Sequence, residues 1–378
     1  MKILMVNYEF PPWGGGAGQA HYQLLRQYAL RPDLRVDVLT SGPGRGLAQE
    51  DFADGITIYK IGIDKKNPHY WRKKELIIWM LRARKRYSKL LDQNEYDLVH
   101  AFFGFPSGWL CYRSADKLPY LISLRGSDVP GINPRFQRDY KILAPVFRRI
   151  WRRAALLAAC SEGLRQRALN FLPTVDIEVI ANGVDGEKFK PAERKIDLQG
   201  LRLLTVGRLS ASKRVELLIE AVGQLQERFT GVSLTIAGGG VLQEDLERMV
   251  KQKQLQDVVK IMGRAPAEQM PQLYQKHDIL ISATAQEGMS NAMLEAMACG
   301  LPIITTRCEG VEELITDNGV IVEQPTAEAL AGAVERVIQE PQRYEEMAAA
   351  GHRRARLFTW AAAAEQYIKC YEKIITPI

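Results

Sequence analysis

The stretch EGMSNAMLE, from Glu287 to Glu295, carries the residue types that are most informative about chemistry. Ser290 is placed to cap a helix, so that the first backbone N–H groups of that helix point outward. Together with the helix dipole these groups attract an anion such as phosphate, and Gly288 lets a ligand approach the backbone. The two glutamates bracket this site, and carboxylates accept hydrogen bonds from vicinal hydroxyls, which nucleotide sugars carry on both sides of their diphosphate. The stretch therefore predicts contacts to a phosphate and to two diols.

Two cations in the segment VGRLSASKR support this interpretation. Gly207 lets the chain turn after the apolar run LRLLT, and Arg208 and Lys213 follow near the start of the next predicted helix. Fixed cations at such a position stabilise the negative charge that develops on a diphosphate leaving group. The alternative is purely structural, with a capped helix, solvated glutamates and surface cations in weak ion pairs.

Three further loops carry glycines where strands are expected to end. Gly239, in AGGG, is a candidate for contact with a nucleoside, and the backbone of Gly263 and Arg264, in MGRAP, is a candidate for contact with a base edge. Gly15 and Gly16, in PPWGGGAGQ, precede a helix expected near 19–30 and would leave N–H groups free for an anion. A dinucleotide-binding fingerprint is disfavoured there, because no clean GxGxxG follows the strand directly. For the AGGG loop, a tight turn without ligand contact remains an equal alternative.

Three polar residues in the first half are candidates for contact with a sugar or an acceptor. His100 lies at the end of the predicted strand DLVHAF, and Arg125 and Asp128 follow the predicted strand YLISL. Arginine keeps its charge and prefers carboxylate or phosphate partners, so Arg125 either meets an acidic group of a substrate or pairs with Asp128. A packed or capping role for His100 is the alternative to acceptor contact.

The elements that position these residues are predicted from the apolar pattern. Short runs rich in Val, Ile and Leu alternate with helical patterns, as expected for parallel strands covered by helices on both faces. The runs are KILMVN, VDVLT, DLVHAF, YLISL and LLAAC, followed by LRLLTVG, SLTIAG, VKIMG, DILISAT and PIITT. They predict an α/β protein of two Rossmann-like doubly wound domains facing a cleft, residues 1–182 and 183–359, with a linker near 182–200. A final helix, 360–378, is expected to cross back to the first domain.

Composition narrows the partners. The 378 residues carry a net charge of +7, which favours an anionic partner. The five cysteines are scattered, so neither a disulfide framework nor a metal site is indicated. No apolar run is long enough to span a membrane, and the N-terminal apolar stretch is too short for a secretory signal, which predicts a cytoplasmic protein.

Residues 67–91 predict an amphipathic basic helix. They mix Trp71, Trp79 and aliphatic residues with many Lys and Arg, a pattern that suits anionic headgroups, and FRRIWRRA at 147–154 could add to it. This predicts a peripheral position on the inner face of the cytoplasmic membrane. The alternative is that Leu76, Ile77 and their neighbours face the domain core. No nucleic-acid recognition module is found.

In their order and spacing, ANGVDGEKF, VGRLSASKR, AGGG and EGMSNAMLEAMACGLPIITT resemble the retaining glycosyltransferase family 4, of the glycosyl transferases group 1, which has the GT-B fold. The resemblance implies that Arg208 and Lys213 bind the diphosphate of the donor, that Glu287 contacts the transferred sugar and that Glu295 contacts the ribose. By the same resemblance, the catalytic residues are Arg208, Lys213 and Glu287. The donor site would be completed by Gly288, Met289, Ser290 and Asn291.

The same resemblance concerns the first half of the chain. It implies that the loop with Gly15 and Gly16 lies beside the donor phosphates and the acceptor. Many members of the family have histidine where Arg125 stands, so this chain departs from the usual sugar-hydroxyl contact.

The expected function is a retaining, metal-independent hexosyltransferase that needs no cofactor beyond its co-substrate. It would use a UDP- or GDP-sugar donor and a hydroxyl of a glycan or lipid-linked glycan acceptor, in cell-envelope polysaccharide or lipopolysaccharide synthesis. Two alternatives share the architecture. A nucleotide-sugar epimerase would need an internal acid and base, for which no convincing pair is found. A non-catalytic sugar-nucleotide binding protein would be expected to have lost Arg208, Lys213 or Glu287, and all three are present.

Overall fold

A computed structural model describes residues 1–65, 67, 70–131, 137–193 and 200–376. Pro68 and His69 of the predicted basic segment, and 194–199 of the predicted linker, lie outside this range. The chain forms two units. Unit 1 consists of Met1–Asn182 with Trp360–Ile378, and unit 2 of Gly183–Thr359. These limits coincide with the boundaries that the sequence predicts.

The described strands are numbered β1 to β14 in chain order. Those of unit 1 are β1 (Lys2–Val6), β2 (Arg35–Gly42), β3 (Leu47–Ala53), β4 (Ile56–Gly62), β5 (Leu98–Phe102), β6 (Tyr120–Leu124), β7 (Leu156–Ala159) and β8 (Ile177–Val179). Those of unit 2 are β9 (Arg202–Val206), β10 (Ser233–Ala237), β11 (Val259–Gly263), β12 (Ile279–Ser282), β13 (Ile303–Thr306) and β14 (Gly319–Val322).

The described helices are numbered α1 to α13. They are α1 (Gly16–Tyr28), α2 (Lys73–Gln93), α3 (Ser107–Tyr112), α4 (Gln137–Arg153), α5 (Glu162–Phe171), α6 (Val215–Gln226), α7 (Gln243–Gln252), α8 (Met270–Gln275), α9 (Asn291–Ala298), α10 (Val311–Leu314), α11 (Ala327–Ile338), α12 (Pro341–Ala355) and α13 (Trp360–Ile375). None of these described helices has the length and hydropathy needed to span a bilayer.

Each unit contains one sheet. The order in unit 1 is β3-β4-β2-β1-β5-β6-β7-β8, and in unit 2 it is β11-β10-β9-β12-β13-β14. All described pairs are parallel except β3 with β4, so unit 1 carries an antiparallel edge strand that the sequence did not predict. In both sheets the order reverses once, between β1 and β5 and between β9 and β12. Open parallel sheets bind ligands at such a switch point, beyond the carboxyl ends of the strands.

The C-terminal helix α13 belongs to unit 1, which confirms its predicted return. A buried chain of polar groups attaches it to the sheet. The hydroxyl of Tyr371 lies 2.9 Å from that of Tyr28 and 2.7 Å from Nδ1 of His100. The other ring nitrogen of His100 lies 2.9 Å from Oγ of Ser123, which lies 2.5 Å from the hydroxyl of Tyr367. Each such buried hydrogen bond contributes about 1 kcal/mol, and leaving one of its partners unpaired costs more.

Helix α2 is amphipathic, but not in the way the sequence suggested. Trp71, just before it, and Trp79 within it are buried rather than interfacial, and their rings pack edge-on against Tyr8 at 5.2 and 6.1 Å. The expectation that the two tryptophans meet a membrane is therefore wrong. On the other side of the helix Ile77 and Leu81 are 50% and 58% exposed.

Candidate functional site

Three loops at the carboxyl ends of β9, β10 and β11 are joined by their backbones. The N–H of Gly207 donates to the carbonyl of Ala237 at 3.0 Å, and the N–H of Gly238 donates to the carbonyl of Gly263 at 2.8 Å. A Cβ added at Gly238 would lie 1.7 Å from the oxygen of Gly207, so only glycine fits. Gly263 has a φ of +70° and turns the chain, and Arg264 after it is exposed.

The close approach within AGGG belongs to different glycines from the one singled out by sequence. Gly239 accepts a hydrogen bond from the N–H of Leu209 at 3.1 Å, but a Cβ there would meet only a side chain at 3.7 Å. A Cβ at Gly240 would lie 2.1 Å from the oxygen of Leu209. Gly238 and Gly240 therefore set the shape of this loop, and Gly239 tolerates a side chain.

The loops that flank the switch point bring Lys213 and Glu287 together. Lys213 ends the 3₁₀ turn Ala211–Lys213 after β9, and the N–H of Ala285, after β12, donates to the carbonyl of Ser212 at 2.8 Å. The ammonium of Lys213 forms an ion pair with the carboxylate of Glu287, and the two side chains are 23% and 25% exposed. Arg208, at the same strand end, is exposed, and no described residue forms a hydrogen bond or ion pair with its side chain.

The start of α9 has the predicted cap. Oγ of Ser290 accepts a hydrogen bond from the N–H of Met293 at 3.4 Å, and the helix begins at Asn291. Gly288, Met289 and Ser290 are buried, and Asn291 is half-buried. The first turn of α9 therefore follows Glu287 closely in the sequence. Its N–H groups lie at the same edge of the sheet as the Lys213–Glu287 pair.

Glu295 lies one turn further into α9. Its Oε2 accepts a hydrogen bond from the hydroxyl of Tyr274, in α8, at 2.8 Å. The carboxyl group is partly accessible but largely surrounded by protein, and this burial raises its pKa to about 7, while the hydrogen bond from Tyr274 and the charge of Lys188 act in the opposite direction. The group therefore titrates near neutral pH.

In the glycine-rich loop at the switch point of unit 1, the N–H of Gly15 already has a hydrogen-bond partner within the protein. The N–H of Gly15, the cap of α1, donates to the carboxylate of Glu9 at 3.1 Å. Glu9 is buried, and its side chain also packs against Gly14, which has a φ of +98°. The expectation that this N–H is free for an anion is wrong for Gly15, because an internal carboxylate already occupies that place. Gly16 is exposed and begins the helix, three residues before the predicted start.

Two of the three predicted acceptor contacts are internal. His100 is fully buried, both ring nitrogens are hydrogen-bonded inside unit 1, and desolvation lowers its pKa well below the usual value. Asp128 is buried, and its oxygens accept hydrogen bonds from the N–H groups of Gly104, at 2.7 Å, and Arg125, at 2.9 Å. Burial raises the pKa of Asp128 against these bonds. Neither side chain is available to an acceptor in this structure.

Arg125 is half-buried, and its guanidinium does not pair with Asp128. It donates to Oδ1 of Asn182 at 2.8 Å and lies 5.5 Å from the ring of Phe102. The structure therefore excludes the pairing with Asp128, whose carboxylate accepts from the backbone N–H of Arg125 rather than from its side chain. Contact of Arg125 with an acidic group of a substrate stays a prediction.

Two family models match the chain, one in each half. The model described as Glycosyltransferase Family 4 matches residues 14–188, and the model described as Glycosyl transferases group 1 matches residues 186–354. The chain belongs to the group 1 glycosyltransferases of family 4. The second match contains both the Lys213–Glu287 pair and the capped helix that follows it.

Similar proteins cover the glycosyltransferase almost from end to end. A phosphatidylinositol N-acetylglucosaminyltransferase chain from Arabidopsis thaliana is 27% identical over 392 aligned positions, which cover 99% of this chain and 82% of the relative. Among solved structures, sucrose-phosphate synthase from Thermosynechococcus elongatus has a TM-score of 0.86 at 20% identity, covering 99% of each chain. The Anabaena protein Alr3699/HepE, in complex with UDP-glucose, has a TM-score of 0.75 at 19% identity, covering 99% of this chain and all of the other. The fold is therefore the GT-B fold.

One residue of the glycosyltransferase site was missed by sequence. Arg214, next to Lys213, has a φ of +45°, and its guanidinium donates to the carbonyl of Ala283 at 2.7 Å and to Oγ1 of Thr306 at 3.2 Å. It ties the loop after β9 to the ends of β12 and β13. Sequence offers two adjacent cations and no sign of which one faces the site.

A second carboxylate near the pair was also missed. Oε2 of Glu309, in the loop after β13, lies 3.4 Å from the N–H of Glu287. Its neighbour Cys308 has a pKa raised to about 12, chiefly by burial, so it stays a neutral thiol. Within the described part of the chain, no group of three or more His, Cys, Asp or Glu side chains is arranged to hold a metal ion.

Proposed function

We propose that this glycosyltransferase moves a hexose from a nucleoside diphosphate sugar, UDP- or GDP-linked, to a hydroxyl of a glycan or lipid-linked glycan, with retention of configuration. The observation that carries the proposal is the Lys213–Glu287 pair at the switch point of unit 2, followed directly by the capped start of α9. A cation, a carboxylate and helix N–H groups thus lie at one sheet edge. A sugar diphosphate requires such groups, since its phosphates bind cations and N–H groups and its hydroxyls donate to a carboxylate.

In the proposed reaction the bond between the sugar carbon and the diphosphate oxygen breaks, and a bond to the acceptor oxygen forms on the same face. The acceptor proton passes to the leaving diphosphate. Arg208, Lys213 and the first N–H groups of α9 stabilise the negative charge on that diphosphate, which leaves no step that requires a metal. Removing one such oriented charge costs about 10²–10³ in rate.

Two relatives support the choice of substrates. The Anabaena neighbour is a complex with UDP-glucose, which favours a UDP-linked hexose as donor. The Arabidopsis relative is named for transfer of N-acetylglucosamine to phosphatidylinositol, which favours a lipid-linked acceptor. A lipid-linked acceptor, together with a position at the cytoplasmic membrane, would suit cell-envelope polysaccharide or lipopolysaccharide synthesis, and we propose that role.

The outward face of α2 supports a peripheral position on the inner face of the cytoplasmic membrane. Ile77 and Leu81 lie one turn apart and are exposed, and Lys74 and Lys85 flank them on the same side of the helix. Apolar side chains between cations suit the boundary of an anionic bilayer, where each Lys or Arg contributes about 1 kcal/mol.

The donor proposal is tested by thermal shift against UDP, GDP, ADP, CMP and their sugar conjugates, followed by turnover and NMR of the product anomer. We expect stabilisation by one nucleoside diphosphate, weakened in Arg208→Ala and Lys213→Ala. Lys253→Ala is the matched control, because Lys253 is exposed in the same unit and pairs with Glu220. No shift with any nucleotide would reject the donor site, and sugar isomerised without transfer would favour an epimerase.

The membrane proposal is tested by co-sedimentation with vesicles of anionic or zwitterionic lipid. The double variant Ile77→Asp/Leu81→Asp should lose binding to anionic vesicles. Leu30→Asp is the control, since Leu30 is 74% exposed in unit 1 but lies just after α1, away from α2 in the sequence. Equal sedimentation of all three proteins with both lipids would contradict a specific role for α2.

A further inference from the structure

Tyr274 is a buried residue whose hydroxyl contacts Glu295, the candidate ribose contact. Its side chain is fully buried, and its hydroxyl donates to Oε2 of Glu295 at 2.8 Å. No described residue donates to the other carboxylate oxygen, Oε1. The carboxylate is thus held on one side and keeps acceptor capacity on the other, since each oxygen offers two lone pairs.

We propose that Tyr274 is a positioning residue that holds Glu295 against the vicinal hydroxyls of the donor ribose, and thereby makes the site distinguish ribose from deoxyribose. The inference rests on the proposed donor site and deepens it. A site built to bind a hydroxyl rejects the analogue that lacks it, because a polar group is then left without its partner.

Packing fixes the direction of the Tyr274 hydroxyl. Phe189, itself buried, contacts the tyrosine ring edge-on, with centroids 5.9 Å apart and planes at 74°. The segment that carries Phe189 is tied to α8, because Nε2 of Gln275 donates to the carbonyl of Lys190 at 2.9 Å. A ring held on this side cannot swing away, so the carboxylate of Glu295 keeps one orientation before the nucleotide arrives, which reduces the entropy cost of binding.

The charge of Glu295 gives the inference a second, independent readout. With a pKa of about 7 the group accepts hydroxyl hydrogen bonds on both oxygens above neutral pH and loses part of that capacity below it. Nucleotide affinity should therefore fall as the pH drops through 7. Tyr274→Phe removes a hydrogen bond that lowers this pKa, so the midpoint should move to higher pH.

The groups that could compete for this titration are few. Helix α9 packs against α8, α12 and β13. The ionisable group of α8 that faces Glu295 is Tyr274. The charged group that acts on Glu295 from the segment next to Phe189 is Lys188. On α12, His352 bonds to the carbonyl of Ala298, at the far end of α9, and β13 carries no ionisable residue.

The experiment compares the affinity of the wild type, Tyr274→Phe and Glu295→Gln for the nucleoside diphosphate that stabilises the wild type and for its 2′-deoxy and 3′-deoxy analogues, from pH 6 to 8.5. We expect Tyr274→Phe to bind the ribonucleotide about tenfold less tightly, the energy of roughly one hydrogen bond to a charged group. Binding of the analogue that lacks the contacted hydroxyl should change little, so that the ratio between the two falls.

Tyr344→Phe is the matched control. Tyr344 is a buried tyrosine of the same unit whose hydroxyl donates to the carbonyl of Asp278 at 3.0 Å. It should lose stability without changing the ribose ratio or the pH midpoint. A wild-type ratio and midpoint in Tyr274→Phe would overturn the inference, and so would a wild type that binds the ribonucleotide and both deoxy analogues equally. Failure of every nucleotide to bind the wild type would instead reject the proposed function.

Discussion

Replacing Glu295 with glutamine should make the unliganded protein more stable above pH 7 while weakening nucleotide binding. The carboxyl group has an ordinary pKa of 4.5 and a pKa of about 7 in the folded protein. The folded state therefore prefers the protonated form. Below pH 4.5 both the folded and the unfolded chains are protonated and there is no penalty. As the pH rises toward 7 the unfolded chain releases its proton first, and stability is lost.

The size of this effect follows from the two pKa values. A rise from 4.5 to about 7 corresponds to about 3 kcal/mol, at about 1.4 kcal/mol for each pKa unit. Since the side chain is partly exposed, solvent screening lowers the figure, and we expect about 1–3 kcal/mol. Glutamine keeps the acceptor for the Tyr274 hydroxyl and carries no charge. For a unit of this size the gain at pH 8.5 is worth about 3–9 °C in Tm.

The assay is thermal unfolding of the wild type and Glu295→Gln at pH 4.5, 5.5, 7 and 8.5 without nucleotide. The difference in Tm between the two should grow as the pH rises and level off above 7. Glu345→Gln, which changes an exposed glutamate of α12, should show no such trend. A variant that is less stable at pH 8.5, or a difference independent of pH, would refute the reasoning about Glu295.

Substitutions at Tyr371 in unit 1 and at Gly238 and Arg214 in unit 2 test the framework of the two units. Tyr371→Phe removes a buried hydroxyl with two partners and should cost about 1–3 kcal/mol of unit 1 stability in thermal melts. Gly238→Ala should abolish nucleotide-dependent stabilisation, because its Cβ would lie 1.7 Å from a backbone oxygen, whereas Gly239→Ala should retain it. At Arg214, which has a φ of +45°, Tm should fall from the wild type to Arg214→Gly and further to Arg214→Ala. Both variants lose the side-chain hydrogen bonds, but only alanine keeps about 1 kcal/mol of strain from the left-handed backbone. An alanine variant as stable as the wild type would contradict this.

Most of the strands that sequence predicted share one property. Runs such as KILMVN and YLISL lie inside a parallel sheet, where both faces are buried, so a largely apolar run marks them. The missed strands are β3, β4, β8 and β14. Three of them, β3, β8 and β14, lie at sheet edges, and β4 mixes buried with half-buried side chains. Their conformation is imposed by pairing with a neighbour, which composition does not reveal.

The candidate site divides in the same way. The Ser290 cap is a local interaction over three residues, so sequence predicts it correctly. The predictions for His100, which lies in the middle of β5, and for Asp128, which follows β6, were wrong because a polar side chain can face a ligand or a partner inside the protein. For His100 that partner is Tyr371, which is 271 residues away. Such distant partners decide which way the side chain points, and the sequence near His100 does not indicate them.

Several charged groups of the proposed site already have a protein partner in the unliganded structure. Lys213 holds Glu287, from a loop 74 residues away, and Tyr274 holds Glu295. In the proposed reaction the diphosphate takes over Lys213, and Glu287 then exchanges its cation for sugar hydroxyls. A nucleoside diphosphate without sugar offers the first exchange but not the second, so it would leave a carboxylate without its partner. Because the pair is only partly buried, this difference is modest, but it favours binding of the donor over the spent nucleotide. Glu287→Gln should therefore bind the nucleoside diphosphate more tightly and turn over more slowly. If nucleoside diphosphate binding and turnover are both lost in this variant, Glu287 serves mainly to hold Lys213 in place.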